Sequence, residues 1–120
     1  MKILITGAYG IVGSHLCKEL KREHEIIGIG RRENYDGCHK YYCCDITDKK
    51  HLEEVLKENS DLDIIIHCAA LAHNKGNDLS KEKFMKVNYE ATKYFVDLSN
   101  KYYNLKTSYL LVQFLYMVKN

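Results

Sequence analysis

Glycines recur at positions 7, 10 and 13, directly after a short apolar run and directly before an amphipathic stretch (KILITGAYGIVGSHL). No other feature limits the fold as strongly. Lys2 to Thr6 is mostly apolar and ends at Gly7, the pattern of a strand buried on both faces. Ile11 to Arg22 carries Val12, Leu16 and Leu20 at helical spacing, with charges between them. In a strand, turn and helix of this kind, Gly7 allows the tight turn. Gly10 removes the Cβ that would hold a pyrophosphate off the backbone, and Gly13 lets the helix pack close to the strand. The open N–H groups of the first helical turn, at the positive end of the helix dipole, then face phosphate. Gly7, Tyr9, Gly10, Ile11, Val12 and Gly13 are therefore the first candidate residues for binding a dinucleotide.

The rest of the chain repeats the alternation. Glu25 to Gly30 (EIIGIG) reads as a second strand and Lys40 to Cys44 (KYYCC) as a third. A helix is expected from about Asp48 to Asn59, with Leu52, Val55 and Leu56 on one face. Asp63 to Ala70 (DIIIHCAA) reads as a fourth, strongly buried strand. A long helix follows from Ser80, its N-cap, to about Tyr103, with Phe84, Val87, Ala91, Tyr94, Phe95 and Leu98 recurring every three or four residues. Ser108 to Val118 is apolar enough for a fifth strand. Strands alternating with helices imply right-handed crossovers and an α/β fold: a Rossmann-type, doubly wound parallel sheet of about five strands. With 120 residues and no proline or low-complexity linker, residues 1–120 are expected to form one domain.

Composition removes several classes. Lys plus Arg number 18 against 16 Asp plus Glu, and these charges form no stripe, so no nucleic-acid footprint is expected. No segment has the length of a signal peptide core or a membrane span, which points to a cytoplasmic protein. Cys17, Cys38, Cys43, Cys44 and Cys68 form no disulfide framework, and no Cys-x-x-Cys knuckle marks a metal site. Reduced, buried structural thiols are expected, with Cys43 and Cys44 on opposite faces of a strand.

The spacing Thr-Gly-x-x-Gly-x-x-Gly in TGAYGIVG resembles the phosphate loop of short-chain dehydrogenases/reductases, in the extended branch of NAD-dependent nucleotide-sugar epimerases and dehydratases. Asp45-Ile46 resembles that family's Asp-hydrophobic pair, whose carboxylate accepts from the adenine amino group. His67-Cys68-Ala69-Ala70 resembles its H-x-A-A stretch, where small residues let the nicotinamide ribose pass close to the backbone. VNYEAT resembles the V-N-x-x-G/A-T element, whose Asn, here Asn88, supports the neighbouring strand end and the cofactor site. These matches run in order over about the first hundred residues. Two local alternatives stay open: Asp45 as the start of the next helix cap, and His67 as a satisfied core histidine.

The resemblance implies NAD or NADP. An NAD-binding fold places an acidic residue at the end of the second strand, whereas this chain has Gly30 followed by Arg31 and Arg32. Two guanidiniums suit a 2′-phosphate and favour NADP. The alternative is a solvated basic loop with Glu33 or Asp36 on the ribose.

Catalysis in the family uses a Tyr activated by a Lys in Tyr-x-x-x-Lys, after a fifth strand ending in a Ser-Ser-x-x-x-Tyr-Gly-like segment. This chain reads SYLLVQFLYMVKN instead. Tyr89 to Lys93 and Tyr102 to Lys106 have the spacing but precede the fifth strand, so they read as ordinary helix pairs and no catalytic residue is assigned. Permissive codons for Leu111 through Val118, read one base out of frame, spell Ser-Ser-Val-Ser-Val-Tyr-Gly. The chain therefore reads as the amino-terminal part of an epimerase-like enzyme, frameshifted near Lys106, truncated before its second half and inactive alone. Its fifth strand would then be a bare sheet edge that pairs into a homodimer or aggregates. A nucleotide sugar would bind only with the rest of the enzyme supplied. The competing class is a non-catalytic NAD(P)-binding sensor or subunit. A methyltransferase fits less well, because the closely spaced Gly-x-Gly is missing.

Overall fold

The computed structural model describes residues 1–69, 81–102 and 108–111. Five parallel strands, β1 (Lys2–Thr6), β2 (Glu25–Gly30), β3 (Lys40–Cys43), β4 (Ile64–His67) and β5 (Ser108–Leu111), lie in the order β3-β2-β1-β4-β5. Among the described residues three helices alternate with them: α1 (Ile11–Leu20), α2 (Lys49–Glu58) and α3 (Lys81–Tyr102). This is the expected α/β, Rossmann-like, doubly wound sheet, with the strand order reversing at β1.

Alternation along β1 divides the core into two layers. Ile3 and Ile5 pack with Ala8, Cys17, Ile26 and Ile66 on the α1 side. Leu4 points the other way, into a larger cluster with Ile27, Ile65, Leu52, Leu56 and Phe95 beneath α2 and α3. Asp48 caps α2 through its side chain, which accepts from the His51 amide at 3.2 Å. The Asp45 carboxylate instead accepts from the Thr47 amide and hydroxyl at 2.9 and 2.8 Å, so it shapes the approach to α2 without capping it.

Several expectations shift. Helix α1 ends at Leu20, before Arg22, and its deepest residues are Gly13 and Cys17, one position on from Val12 and Leu16. Strand β4 stops at His67: the Cys68 amide is shared between the Thr6 carbonyl at 3.3 Å and the Thr6 hydroxyl at 3.0 Å, and the Ala69 amide turns to that hydroxyl at 3.0 Å, which ends the ladder before the apolar run ends. The thiols are not uniformly buried: Cys17 and Cys44 are, Cys38 and Cys68 are half-buried, and Cys43 is exposed. Ser80, Ala70 and residues 112–118 fall outside the described residues. No helix among the described residues is long and apolar enough to cross a membrane.

Candidate dinucleotide site

A cleft of about 260 Å³ opens at the carboxyl ends of β1, β2, β3 and β4. It is lined by the glycines Gly7, Gly10 and Gly30, by Tyr9 and Arg31, and by Asp45, Ile46, Cys68 and Ala69. Crevices at this point, where the strand order reverses, are where open α/β sheets receive ligands.

Each glycine of the turn has a different task. Gly7 holds φ +67°, in the left-handed region, and a Cβ there would lie 3.0 Å from the Ala69 backbone. Gly13 carries the close packing: a Cβ would stand 2.0 Å from the Gly7 carbonyl oxygen. A Cβ on Gly10 would meet only the Gly7 oxygen, at 3.3 Å, and otherwise project into open space. Gly10 is also the N-cap of α1 and brings no side chain to cover the helix end. The first intrahelical bond runs from Ser14 N–H to the Gly10 carbonyl at 2.9 Å, so the amides of Ile11, Val12 and Gly13 are those the helix itself leaves open.

Across the cleft, a buried junction fixes the end of β4. Thr6 Oγ1 accepts from the Cys68 and Ala69 amides and lies 2.7 Å from His67 Nδ1. His67 Nε2 lies 3.1 Å from Thr92 Oγ1 on α3. The ring is 1% exposed, and burial pushes its pKa down to about 4. His67 is thus a satisfied core histidine, and its neutral ring adds no charge to the cleft. Burial likewise pushes the Cys44 thiol up to about 12 and raises that of Cys68, so both line the cleft as neutral groups.

The loop after β2 supplies the positive charge. Arg31 lines the cleft, and the Arg32 guanidinium stands 5.9 Å from the centre of the Tyr9 ring. Their carbonyls are tied to β3: Arg31 accepts from Cys43 Sγ at 3.6 Å and Arg32 from the Tyr41 hydroxyl at 2.7 Å. The space above Gly30 is filled by Tyr41 and Tyr9, within 2.7 and 2.8 Å of a notional Cβ.

Of the residues singled out in the sequence, Gly7, Tyr9, Gly10, Arg31, Asp45, Ile46, Cys68 and Ala69 meet around one cleft. Ile11 is 93% exposed at the mouth of the turn. Val12 and Asn88 are half-buried outside the lining, and Gly13 packs beneath it. Ile29, Gly30 and Cys44 also line the cleft and were not singled out as ligand contacts. Their signal was available, since each ends or follows a strand facing the reversal point. Among the described residues no cluster of His, Cys, Asp or Glu is arranged to hold a metal ion.

The sequence profile of the NAD dependent epimerase/dehydratase family matches residues 3–117. A UDP-glucose 4-epimerase of Streptococcus mutans is 35% identical over 77 residues, covering 58% of this chain and 23% of the relative. A dTDP-D-glucose 4,6-dehydratase of Dictyostelium discoideum is 30% identical over 115 residues, covering 84% of this chain and 26% of the relative. Among solved structures, a hypothetical dTDP-4-dehydrorhamnose reductase from Sulfolobus tokodaii superposes with TM-score 0.72 at 30% identity, over 92% of this chain and 38% of that one. The UDP-glucose 4-epimerase of Bifidobacterium longum, solved with NAD+ and UDP, shares the fold with TM-score 0.69 at 23% identity, over 85% of this chain and 34% of that one. The chain thus spans about a quarter of the length of the two curated relatives, 23% and 26%.

Proposed function

Because the chain belongs to the NAD dependent epimerase/dehydratase family, we propose that its cleft binds NAD(P) as the cofactor-holding part of a nucleotide-sugar epimerase or dehydratase. One observation carries this reading: Gly10, which lines the cleft and where a Cβ would meet only the Gly7 oxygen, is the N-cap of a helix end that no side chain caps. A diphosphate there would accept from the amides of Ile11, Val12 and Gly13 and gain from the helix dipole. Asp45 would receive the adenine amino group and Ala69 would border the nicotinamide ribose, both of which line the cleft. The bound dinucleotide supplies a hydride acceptor or donor. Arg31 and Arg32, with no acidic side chain at Gly30, favour a 2′-phosphate and hence NADP.

The lining residues include no Tyr-x-x-x-Lys pair. The described cleft therefore holds the cofactor, while proton transfer at the sugar needs groups supplied from elsewhere, and the chain is inactive alone. The alternative is a non-catalytic NAD(P) sensor or subunit. Titration with NADH and NADPH, followed by turnover assays on UDP- and dTDP-sugars, tests the proposal. Binding to either dinucleotide supports it, and no binding by folded protein ends it. Turnover without added protein ends the claim of inactivity. The encoding DNA tests the frame reading of residues 111–118: codons that cannot spell Ser-Ser-Val-Ser-Val-Tyr-Gly in the neighbouring frame end it. Pairing of two copies along the β5 edge is read out by sedimentation.

A further inference from the structure

We propose that Cys17 and Cys38 are an oxidisable thiol pair that closes to an intramolecular disulfide beneath the phosphate turn. Cys17 lies in α1, fully buried, with its thiol 3.8 Å from the Ala8 carbonyl oxygen. Cys38 lies in the loop between β2 and β3 and is half-buried. Its sulfur stands 2.6 Å from where a Cβ on Gly28 would sit, and the Ala8 Cβ is 2.9 Å from that same point. Ala8 and the bare Gly28 backbone thus leave room for Cys38 against the apolar cluster that holds Cys17, where each thiol shifts the other's titration.

The pair is asymmetric in the way such chemistry needs. The Cys17 hydrogen bond holds Cys38 below the usual thiol range, against the opposing effect of burial, with further help from the Gly28 backbone and Lys21. Cys17 is pushed far up by that same hydrogen bond and by burial, so it keeps its proton. With a hydroperoxide as oxidant, the Cys38 thiolate attacks one peroxide oxygen. The O–O bond breaks, hydroxide leaves and Cys38 becomes a sulfenic acid. Cys17 sulfur then attacks the Cys38 sulfur and the S–O bond breaks, and the Cys17 proton leaves with that oxygen as water. Two thiols lose two electrons and the peroxide is reduced to water. The other thiols are placed differently: Cys44 packs on the opposite face of the sheet, Cys43 is exposed on β3, and Cys68 lines the cleft. The new bond would tie the loop that begins at Arg31 to α1.

The test exposes the reduced full-length protein to hydrogen peroxide, blocks remaining thiols with N-ethylmaleimide, and maps peptides without reduction. Expected are a loss of two hydrogen masses, a Cys17–Cys38 linked peptide reversed by dithiothreitol, and oxidation of Cys38 at least about tenfold faster than that of Cys43. Cys17→Ser should stop at a sulfenic acid on Cys38, and Cys38→Ser should lose both products. Should Cys17→Ser fail to fold, Cys38→Ser at its half-buried position decides alone. Linkage mainly through Cys43 or between chains, or oxidation of Cys38 no faster than that of Cys43, overturns the proposal.

Discussion

Thr6 and His67 are register partners at the ends of adjacent parallel strands, and their side chains meet at 2.7 Å inside the protein. Two backbone amides already donate to the Thr6 oxygen, so its hydroxyl donates to His67 Nδ1. The ring is then neutral with its proton on Nε2, which donates to Thr92. This chain of bonds joins β1, β4 and α3 and sets the backbone of Ala69, which lines the cleft.

A neutral buried histidine makes stability depend on pH. Burial lowers the His67 pKa from 6.5 to about 4 in the folded protein, so between those values the unfolded chain binds the extra proton. The stabilisation is therefore complete above about pH 6.5, falls as pH drops towards 4, and changes no further below that, a total of about 3 kcal/mol. Urea unfolding of wild type and His67→Gln from pH 7.5 to 4 should show a steeper loss for wild type. Parallel curves would exclude His67 as the titrating group.

Replacing the hydroxyl that organises this junction should cost more than replacing its methyl. Thr6→Val strands the Ala69 amide and His67 Nδ1 and leaves the Cys68 amide only its 3.3 Å bond to the Thr6 carbonyl, an expected loss of about 2–4 kcal/mol. Thr6→Ser keeps all three bonds and should lose only about 1 kcal/mol. Thr6→Val, where it folds, should also weaken dinucleotide binding, because Ala69 loses its anchor. Equal melting temperatures for the two variants would contradict the hydrogen-bond assignment.

The two outer positions of the α1 turn should respond oppositely to alanine. Gly13→Ala drives a Cβ to 2.0 Å from the Gly7 oxygen, so the helix must lift and stability should fall by about 3 kcal/mol or more. Gly10→Ala meets only one contact, at 3.3 Å, and should melt within about 1 kcal/mol of wild type. Its cost should fall on dinucleotide affinity. A Gly10→Ala protein that binds both NADH and NADPH normally would remove the phosphate assignment from this turn.

The elements most legible in the sequence were those whose pattern is local. EIIGIG predicts β2 to the residue, because an apolar run bounded by polar segments determines it. The end of β4 was not legible: apolar residues continue past His67, and only the distant Thr6 hydroxyl turns the chain away. The sequence left Asp45 open as the start of the next helix cap, and geometry gives the cap to Asp48. That Cys17 and Cys38 share one apolar cluster is invisible for the same reason as the β4 end, since a strand and a loop separate them in the chain. Motif spacing located the phosphate turn, while Ile29, Gly30 and Cys44 became cleft residues only once the strands were ordered.

Cofactor choice gives the last test. Arg31 lines the cleft and Arg32 is held near the Tyr9 ring, while both Arg31 and Arg32 carbonyls are pinned to β3. The loop is thereby held with two guanidiniums beside the cleft, and an acidic side chain at position 30 would have to displace the Tyr41 hydroxyl and the Tyr9 ring. Wild type should bind NADPH more tightly than NADH. Arg31→Ala and Arg32→Ala should each weaken NADPH by about tenfold and leave NADH within about twofold, since a charge-assisted hydrogen bond contributes about 1.5–3 kcal/mol. Added salt should narrow the difference, because both side chains are exposed. Tighter binding of NADH, lost on Glu33→Ala or Asp36→Ala, would instead give the ribose hydroxyls to the acidic half of the same loop.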